Sequence, residues 1–151
     1  MKTQVVTFSK SFPYYHSKAG EPTNFIEKIL KQEKITTIRT NLDRWYNIQE
    51  KLNKGEYILS LRYWSDIPYR SKQIEFAKCS SIDIKEVFIT NGFSNGFQIS
   101  INDSYCYHSE IEKLTKSEGF ENRNDLEGWF NKEVFSGAII EFKEVSQNKI
   151  H

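Results

Sequence analysis

The chain has 151 residues, a formal net charge of +1 at pH 7 and 38% hydrophobic residues, with 11 Phe, 8 Tyr and 3 Trp. This length fits one domain, and the near-zero net charge excludes a globally basic nucleic-acid binder, so any contact with nucleic acid has to come from a local patch. Two cysteines, Cys79 and Cys106, are too few for a disulfide framework and predict a reduced, cytoplasmic setting. No apolar run approaches the roughly 18 residues of a membrane helix, and residues 1–12 lack the apolar core of a signal peptide.

The first third of the chain predicts two strands and two helices in alternation. Helix 24–32 has Thr23 as its expected N-cap and an apolar stripe at helical spacing. Helix 42–53 has a second such stripe, and Gly55 is its expected end. The predicted order is strand 4–8, loop 9–22, helix 24–32, strand 35–39 and helix 42–53.

The rest of the chain predicts closely spaced strands, then two short helices and a final strand. The four strands are expected at 56–64, 69–78, 84–90 and 96–102, with a turn at 65–68 and a hairpin loop at 91–96. The helices are expected at 108–117 and after a cap at Asn124 or Asp125, and the last strand at 137–145. These strand pairs favour an α+β fold, a small mixed or antiparallel barrel with flanking helices, in one domain over 1–145 with a frayed tail at 146–151.

The segment "QEKITTIR" places unusual polar chemistry in a predicted strand. Thr37 and Arg39 share one face of that strand, and Ile38 is expected to turn toward apolar packing. Lys34 can converge with Thr37 only if it precedes the regular strand or the chain bends there. The segment is interpreted as a strand lining a cleft. A solvated edge strand, where Thr is favoured and charges block aggregation, is the alternative.

Two short motifs resemble the ASCH family, a branch of the PUA-like β-barrels. Its GxKxxTxR signature is matched by Lys34, Thr37 and Arg39, with Gln32 in the place of the glycine. Its downstream acidic-Gly-Phe motif is matched by "EGF", which begins at Glu118. The similarity covers most of the chain in element order, and these two motifs residue by residue.

The resemblance implies a PUA-like barrel whose cleft binds RNA or a modified nucleoside. It also implies an alternative, a small amidohydrolase that removes an acyl group from N4-acylated cytidine. In that branch Lys34 would be the proton acceptor, Thr37 the nucleophile and Glu118 the proton donor. A lysine can act as a base only if burial lowers its pKa toward about 7–8, and a nearby Glu118 carboxylate would oppose this. Arg39 has a planar fork suited to a phosphate or a carbonyl.

Further ligand-binding candidates are Thr36 of the motif strand, residues of a segment in which basic and aromatic residues alternate, and one residue of the loop after the first strand. Bases stack on aromatic rings and phosphates pair with cations, so segment 61–72 suits single-stranded nucleic acid. A half-buried hairpin is the alternative. Loop 9–22 is a candidate lid or rim of the cleft, or else an ordinary packed loop. The candidates are Thr36, Arg62, Tyr63, Trp64, Tyr69, Arg70, Lys72 and His16.

The histidines and cysteines do not form a metal motif. His16, Cys79, Cys106 and His108 lack the spacing of a zinc knuckle or finger, so neither a metal nor a cofactor is expected. The expected partner is RNA or a nucleoside-type small ligand, and no membrane contact is expected. A third hypothesis, besides binding and hydrolysis, is an interaction scaffold without an active site.

Overall fold

Seven strands and four helices are found in residues 1–92, 94 and 96–148, the part of the chain that the computed structural model describes. The first half contains β1 (Lys2–Thr7), α1 (Phe25–Leu30), β2 (Thr36–Thr40), α2 (Leu42–Asn53) and β3 (Tyr57–Trp64). The second half contains β4 (Gln73–Thr90), β5 (Gln98–Ile101), β6 (Ser104–Tyr105), α3 (His108–Ser117), α4 (Arg123–Trp129) and β7 (Val134–Gln147). The fold class is α+β, as predicted.

The helices follow their apolar stripes, and two of the predicted caps are wrong. Helix α2 has the predicted bounds, and the Asn41 side chain accepts a hydrogen bond from the Arg44 N–H at 3.1 Å. Helix α1 is capped by Asn24, and Thr23 instead supports the turn, since its Oγ1 accepts from the Phe25 N–H at 3.3 Å. Helix α4 begins two to three residues earlier than expected, because the side chain of Asn122 accepts from the Asp125 N–H at 3.0 Å.

The predicted strands 69–78 and 84–90 are one strand, β4, of 18 residues. The run between them, "CSSID", is mostly polar. However, Cys79 and Ile82 are buried within it, and β7 pairs with β4 from Ala77 to Thr90. Along its other edge β4 pairs first with β3 and then with β5. Strand β7 is longer than predicted for the same reason.

The sheet is mostly antiparallel, and only β1 and β3 pair in parallel. Strand β2 pairs with β7, and within the described ranges no ladder joins β2 to β1, so the pairing is that of an open seven-stranded sheet. Arg39 joins these two strands by a side-chain hydrogen bond, since its Nη2 donates to the Thr7 carbonyl at 2.7 Å. The expected closed barrel is therefore not what the strand pairing shows.

The core lies on the inner face of this sheet, where Leu59, Leu61 and Ile140 are fully buried. An aromatic cluster extends it beneath α4, in which Phe12, Phe25, Phe120 and Trp129 pack with ring centroids 5.4–6.3 Å apart. This cluster fixes α1, α4 and the loop after β1 against one another, because aromatic side chains bury large areas.

The tail differs from the prediction, and the predicted hairpin loop is described only in part. Strand β7 continues through Ser146 and Gln147, and Asn148 Nδ2 donates to the Glu75 carbonyl at 3.0 Å, so fraying does not begin at 146. Residues 149–151 lie outside the described residues, as do 93 and 95 of the predicted hairpin loop 91–96. Within the described ranges, no helix is long and apolar enough to cross a membrane.

Candidate functional site

A cavity of about 530 Å³ opens at the edge of the sheet where β1 and β2 lie side by side without pairing. Its base is polar and its walls are largely aromatic. The lining includes Lys34, Thr37, Arg39 and Glu118, the aromatic residues Phe8, Phe25, Trp64, Tyr69, Phe120, Trp129, Phe130 and Phe135, and the charged residues Lys10 and Asp66.

Lys34 is buried at the base of the cavity. It lies before the first residue of β2, which meets the geometric condition set by the sequence. Its Nζ donates to the carbonyls of Thr36 at 2.8 Å and Glu118 at 2.6 Å, and lies 4.5 Å from the centre of the Phe25 ring. Burial lowers the pKa of Lys34 from 10.5 to about 8; the Glu118 carboxylate opposes this shift, whereas Arg39 and Lys28 add to it.

Glu118, the first residue of the downstream motif, lies at the C-terminal end of α3 and borders the cavity. Its Oε2 accepts from Thr36 Oγ1 at 2.5 Å. Glu118 Oε1 has no hydrogen-bond partner among the described residues. Every fully buried polar side-chain atom among them does have one, so Oε1 is not fully buried and is open to the cavity. The next residue, Gly119, has φ +88°, and a Cβ there would lie 3.0 Å from Lys34 Cδ. The glycine therefore lets α3 end directly against the lysine stem.

Thr37 and Arg39 form a second polar pair on the cavity side of β2. Arg39 Nε donates to Thr37 Oγ1 at 3.1 Å, and the guanidinium lies 5.2 Å from the centre of the Phe8 ring. Burial lowers the pKa of Arg39, and Glu118 opposes the shift. Thr37 and Arg39 share a face as predicted, while Ile38 is half-buried and also borders the cavity.

The motif residues thus lie around one cavity, but their hydrogen bonds are not those of a Lys-Thr dyad. Among the described residues, no hydrogen bond joins Lys34 to Thr37. Glu118 is bonded to Thr36, and Thr37 is bonded to Arg39. A ligand in the cavity would meet Glu118 Oε1, the Thr37 hydroxyl proton and Arg39 Nη1, since these have no partner among the residues described.

The aromatic-basic segment contributes two of its six candidates to the cavity. Trp64 and Tyr69 line the mouth with ring centroids 5.1 Å apart. Tyr63 instead packs on Phe76, with centroids 6.1 Å apart. The three basic candidates of the segment also lie outside the cavity lining. Arg62 donates hydrogen bonds to Ser60 at 2.7 Å and Gln73 at 3.1 Å, and Arg70 and Lys72 are exposed.

His16 does not reach the cavity. It is buried, and its Nδ1 accepts from the Lys18 N–H at 2.9 Å, so that its Nε2–H donates to the Asp125 carbonyl at 2.9 Å. Its ring lies 4.6 Å from that of Phe12. His16 therefore fastens the loop after β1 to α4. Only the start of that loop, with Lys10 and its neighbours, lines the cavity rim.

Several lining residues were not predicted from the sequence. Four aromatic residues belong to the core and also form walls of the cavity: Phe8, Phe25, Phe120 and Trp129. Their apolar spacing in the sequence gave no sign that they would line a cavity. Lys10 lies at the mouth, where its Nζ approaches the Ser65 carbonyl at 3.5 Å and thereby links two rim segments. Lys10, unlike these aromatic residues, belongs to loop 9–22, which the sequence offered as a candidate lid or rim of the cleft.

Across the described parts of the chain, no group of three or more His, Cys, Asp or Glu side chains is arranged to hold a metal ion. Cys79 and Cys106 are buried free thiols, and burial raises the pKa of each. In comparisons with known proteins, no family model, curated protein or solved structure matches this chain.

Proposed function

We propose that the cavity binds a nucleoside-type compound or a nucleotide of single-stranded RNA, in an ASCH-like domain of PUA-like fold. The contact between the two sequence motifs is the observation that most supports this proposal. Lys34 Nζ donates a hydrogen bond to the carbonyl of Glu118, which lies 84 positions further along the chain, and both motifs border one cavity. Its volume of about 530 Å³ is in the range of small-molecule sites, and aromatic walls with a few converging polar groups are typical of them.

The backbone at Gln32 supports the family resemblance. Gln32 occupies the glycine position of the signature, and its φ is +63°. This left-handed conformation is one that glycine adopts freely and other residues adopt at a cost. A turn of this kind between α1 and Lys34 gives a physical reason for a glycine at the first signature position.

The polar groups at the base would recognise the ligand, and the aromatic walls would bind its ring. The Thr37 hydroxyl and Arg39 Nη1 can donate to a carbonyl or a phosphate oxygen, and Glu118 Oε1 can accept from an amino group. Trp64 and Tyr69 at the mouth offer faces on which a base can stack.

Titration followed by tryptophan fluorescence tests the binding proposal, because Trp64 and Trp129 line the cavity. Cytidine, N4-acetylcytidine and a short single-stranded RNA are the ligands. We expect saturable binding that weakens in Thr37→Val and is unchanged in Thr3→Val, an exposed threonine of β1 outside the cavity. RNA binding, unlike nucleoside binding, should weaken steeply as salt rises. Absence of binding to all three ligands, or equal affinity in Thr37→Val, would contradict the proposal.

Hydrolysis of N4-acylated cytidine is the second candidate, favoured by the pKa of Lys34 near 8. A neutral amine has two N–H groups, enough for its bonds to Thr36 and Glu118, and its lone pair is then available as a base. Thr37 Oγ would attack the acyl carbon and Lys34 would take the hydroxyl proton. Glu118, as the expected proton donor, would pass this proton on to the leaving amine, and water would then hydrolyse the acyl-threonine ester.

Turnover of N4-acetylcytidine by the wild type, Lys34→Met, Thr37→Val and Thr3→Val decides this candidate. Loss in both Lys34→Met and Thr37→Val, with Thr3→Val, outside the cavity, retaining activity, would support the hydrolase roles. Binding without turnover would leave the binding function alone. Neither binding nor turnover would favour a scaffold.

A further inference from the structure

A second cavity of about 700 Å³ lies between α3 and the opposite face of β2. Ile35 and Thr36, at the start of β2, border this cavity, whereas residues 37–40 border the first. The second lining is drawn from β2, β4, β5, β6, α3, β7 and the residues next to them.

The floor of the second cavity is apolar. Ile139, Leu114 and Cys106 are buried there, Ile101 is half-buried, and Ile35 leaves 39% of its surface exposed. A hydrocarbon group placed on this floor would remove these side chains from water, which is favourable in proportion to the area covered.

The charged residues at the rim are unequally partnered. Glu141 and Asp83 share Lys143, whose Nζ lies 2.6 Å and 3.6 Å from their carboxylates. Glu110 Oε1 accepts from the Tyr107 N–H at 3.4 Å in the cap of α3. By contrast, Lys85 of β4 and Lys113 of α3 have neither an ion pair nor a side-chain hydrogen bond among the residues described. The carboxylates are occupied, whereas two amino groups from different walls are available.

We propose that this second cavity binds a small organic anion with an apolar body, of the class of a medium-chain carboxylate. Lys85 and Lys113 would pair with the anionic group, and Ser104 on the same lining carries a hydroxyl donor. The apolar body would lie on Ile35, Ile101, Leu114 and Ile139. Lys85 and Lys113 do not border the first cavity, so this site is independent of the proposed nucleoside site.

Amide chemical-shift titration with octanoate tests the site, with octylammonium as a probe of equal length and opposite charge. We expect saturable octanoate shifts around Ile101 and Leu114 and no such binding of octylammonium. Lys85→Ala and Lys113→Ala should each weaken octanoate binding about twofold to fivefold, as expected for loss of one exposed ion pair. Lys116→Ala removes an exposed lysine of α3 outside the lining and should leave the affinity unchanged.

Four outcomes would overturn the proposal. The first three are octanoate shifts that do not saturate, shifts confined to the first cavity, and equal octanoate affinity in the wild type and both lining variants. The fourth is binding of octylammonium with the same affinity, since the two lysines would then not select for a negative charge. None of these outcomes bears on nucleoside binding, which is followed at Trp64 and Trp129.

Discussion

Thr36, and not its neighbour Thr37, holds the carboxylate of Glu118, with Oγ1 donating to Oε2 at 2.5 Å. Both threonines are 5% exposed, but they lie on opposite faces of β2, and only Thr36 reaches the end of α3. Thr37 meets Arg39 instead. The two adjacent hydroxyls therefore have separate tasks: one fixes the carboxylate, and the other is open to a ligand.

This division predicts different stability losses for two matched substitutions. Thr36→Val leaves a buried carboxylate oxygen without its donor and should lower the free energy of unfolding by about 1–3 kcal/mol. Thr37→Val removes a bond to Arg39, which keeps its bond to Thr7, and should cost less than about 1 kcal/mol. Urea unfolding measures both. A larger loss in Thr37→Val than in Thr36→Val would mean that the Thr36–Glu118 bond contributes little.

The pKa of Lys34 predicts how stability depends on pH. Its folded value near 8 is below its ordinary value of 10.5, so between these pH values the unfolded chain binds a proton that the folded chain has released. Stability rises with pH wherever the unfolded state binds more protons. Below pH 8 Lys34 is protonated in both the folded and the unfolded chain, so the full cost of burying its charge lowers the free energy of unfolding.

Lys34→Met keeps the length of the side chain and removes the titration. The free energy of unfolding of the wild type minus that of Lys34→Met should therefore increase between pH 7 and pH 10, by on the order of 2 kcal/mol. Denaturant unfolding across this range measures the difference. Parallel pH curves for the two proteins would show that Lys34 does not have a lowered pKa in the fold.

The element types, more than their ends, could be predicted from the sequence. Helix α2 has its predicted bounds because Trp45, Ile48 and Leu52 form one buried stripe. The split of β4 was wrong because the short polar run inside it pairs with β7, and long-range pairing of this kind leaves no local signal.

The motif residues could be placed near one another only through the resemblance, since 84 positions separate Lys34 from Glu118. Their partners could not be predicted, because which threonine meets the carboxylate depends on where α3 ends. His16 was misjudged for a related reason. Its loop is polar in sequence, yet Phe12 draws it into an aromatic cluster where both ring nitrogens are bonded.

The left-handed backbone at Gln32 predicts a stabilising substitution. Gln32→Gly should relieve the cost of a positive φ and raise the free energy of unfolding by up to about 1 kcal/mol, after the greater unfolded-state freedom of glycine is subtracted. Gln32→Ala is the matched control, because it removes the side chain beyond Cβ but keeps the Cβ itself. It should not raise the free energy of unfolding. Thermal unfolding distinguishes the two variants, and equal midpoints would show that φ at this position carries no cost.

Gly119 predicts a steric link between the downstream motif and Lys34. Gly119→Ala places a Cβ 3.0 Å from Lys34 Cδ at φ +88°, whereas Gly20→Ala adds a Cβ at φ +82° with no atom within 4 Å. Both variants carry the cost of the left-handed backbone, roughly 1–2 kcal/mol, but only Gly119→Ala has to displace the buried lysine stem. We expect Gly119→Ala to be the less stable of the two in urea and to show a changed pH dependence relative to the wild type. If Gly20→Ala and Gly119→Ala lose equal stability with unchanged pH dependence, the lysine moves aside without cost, and its position is not set by the end of α3.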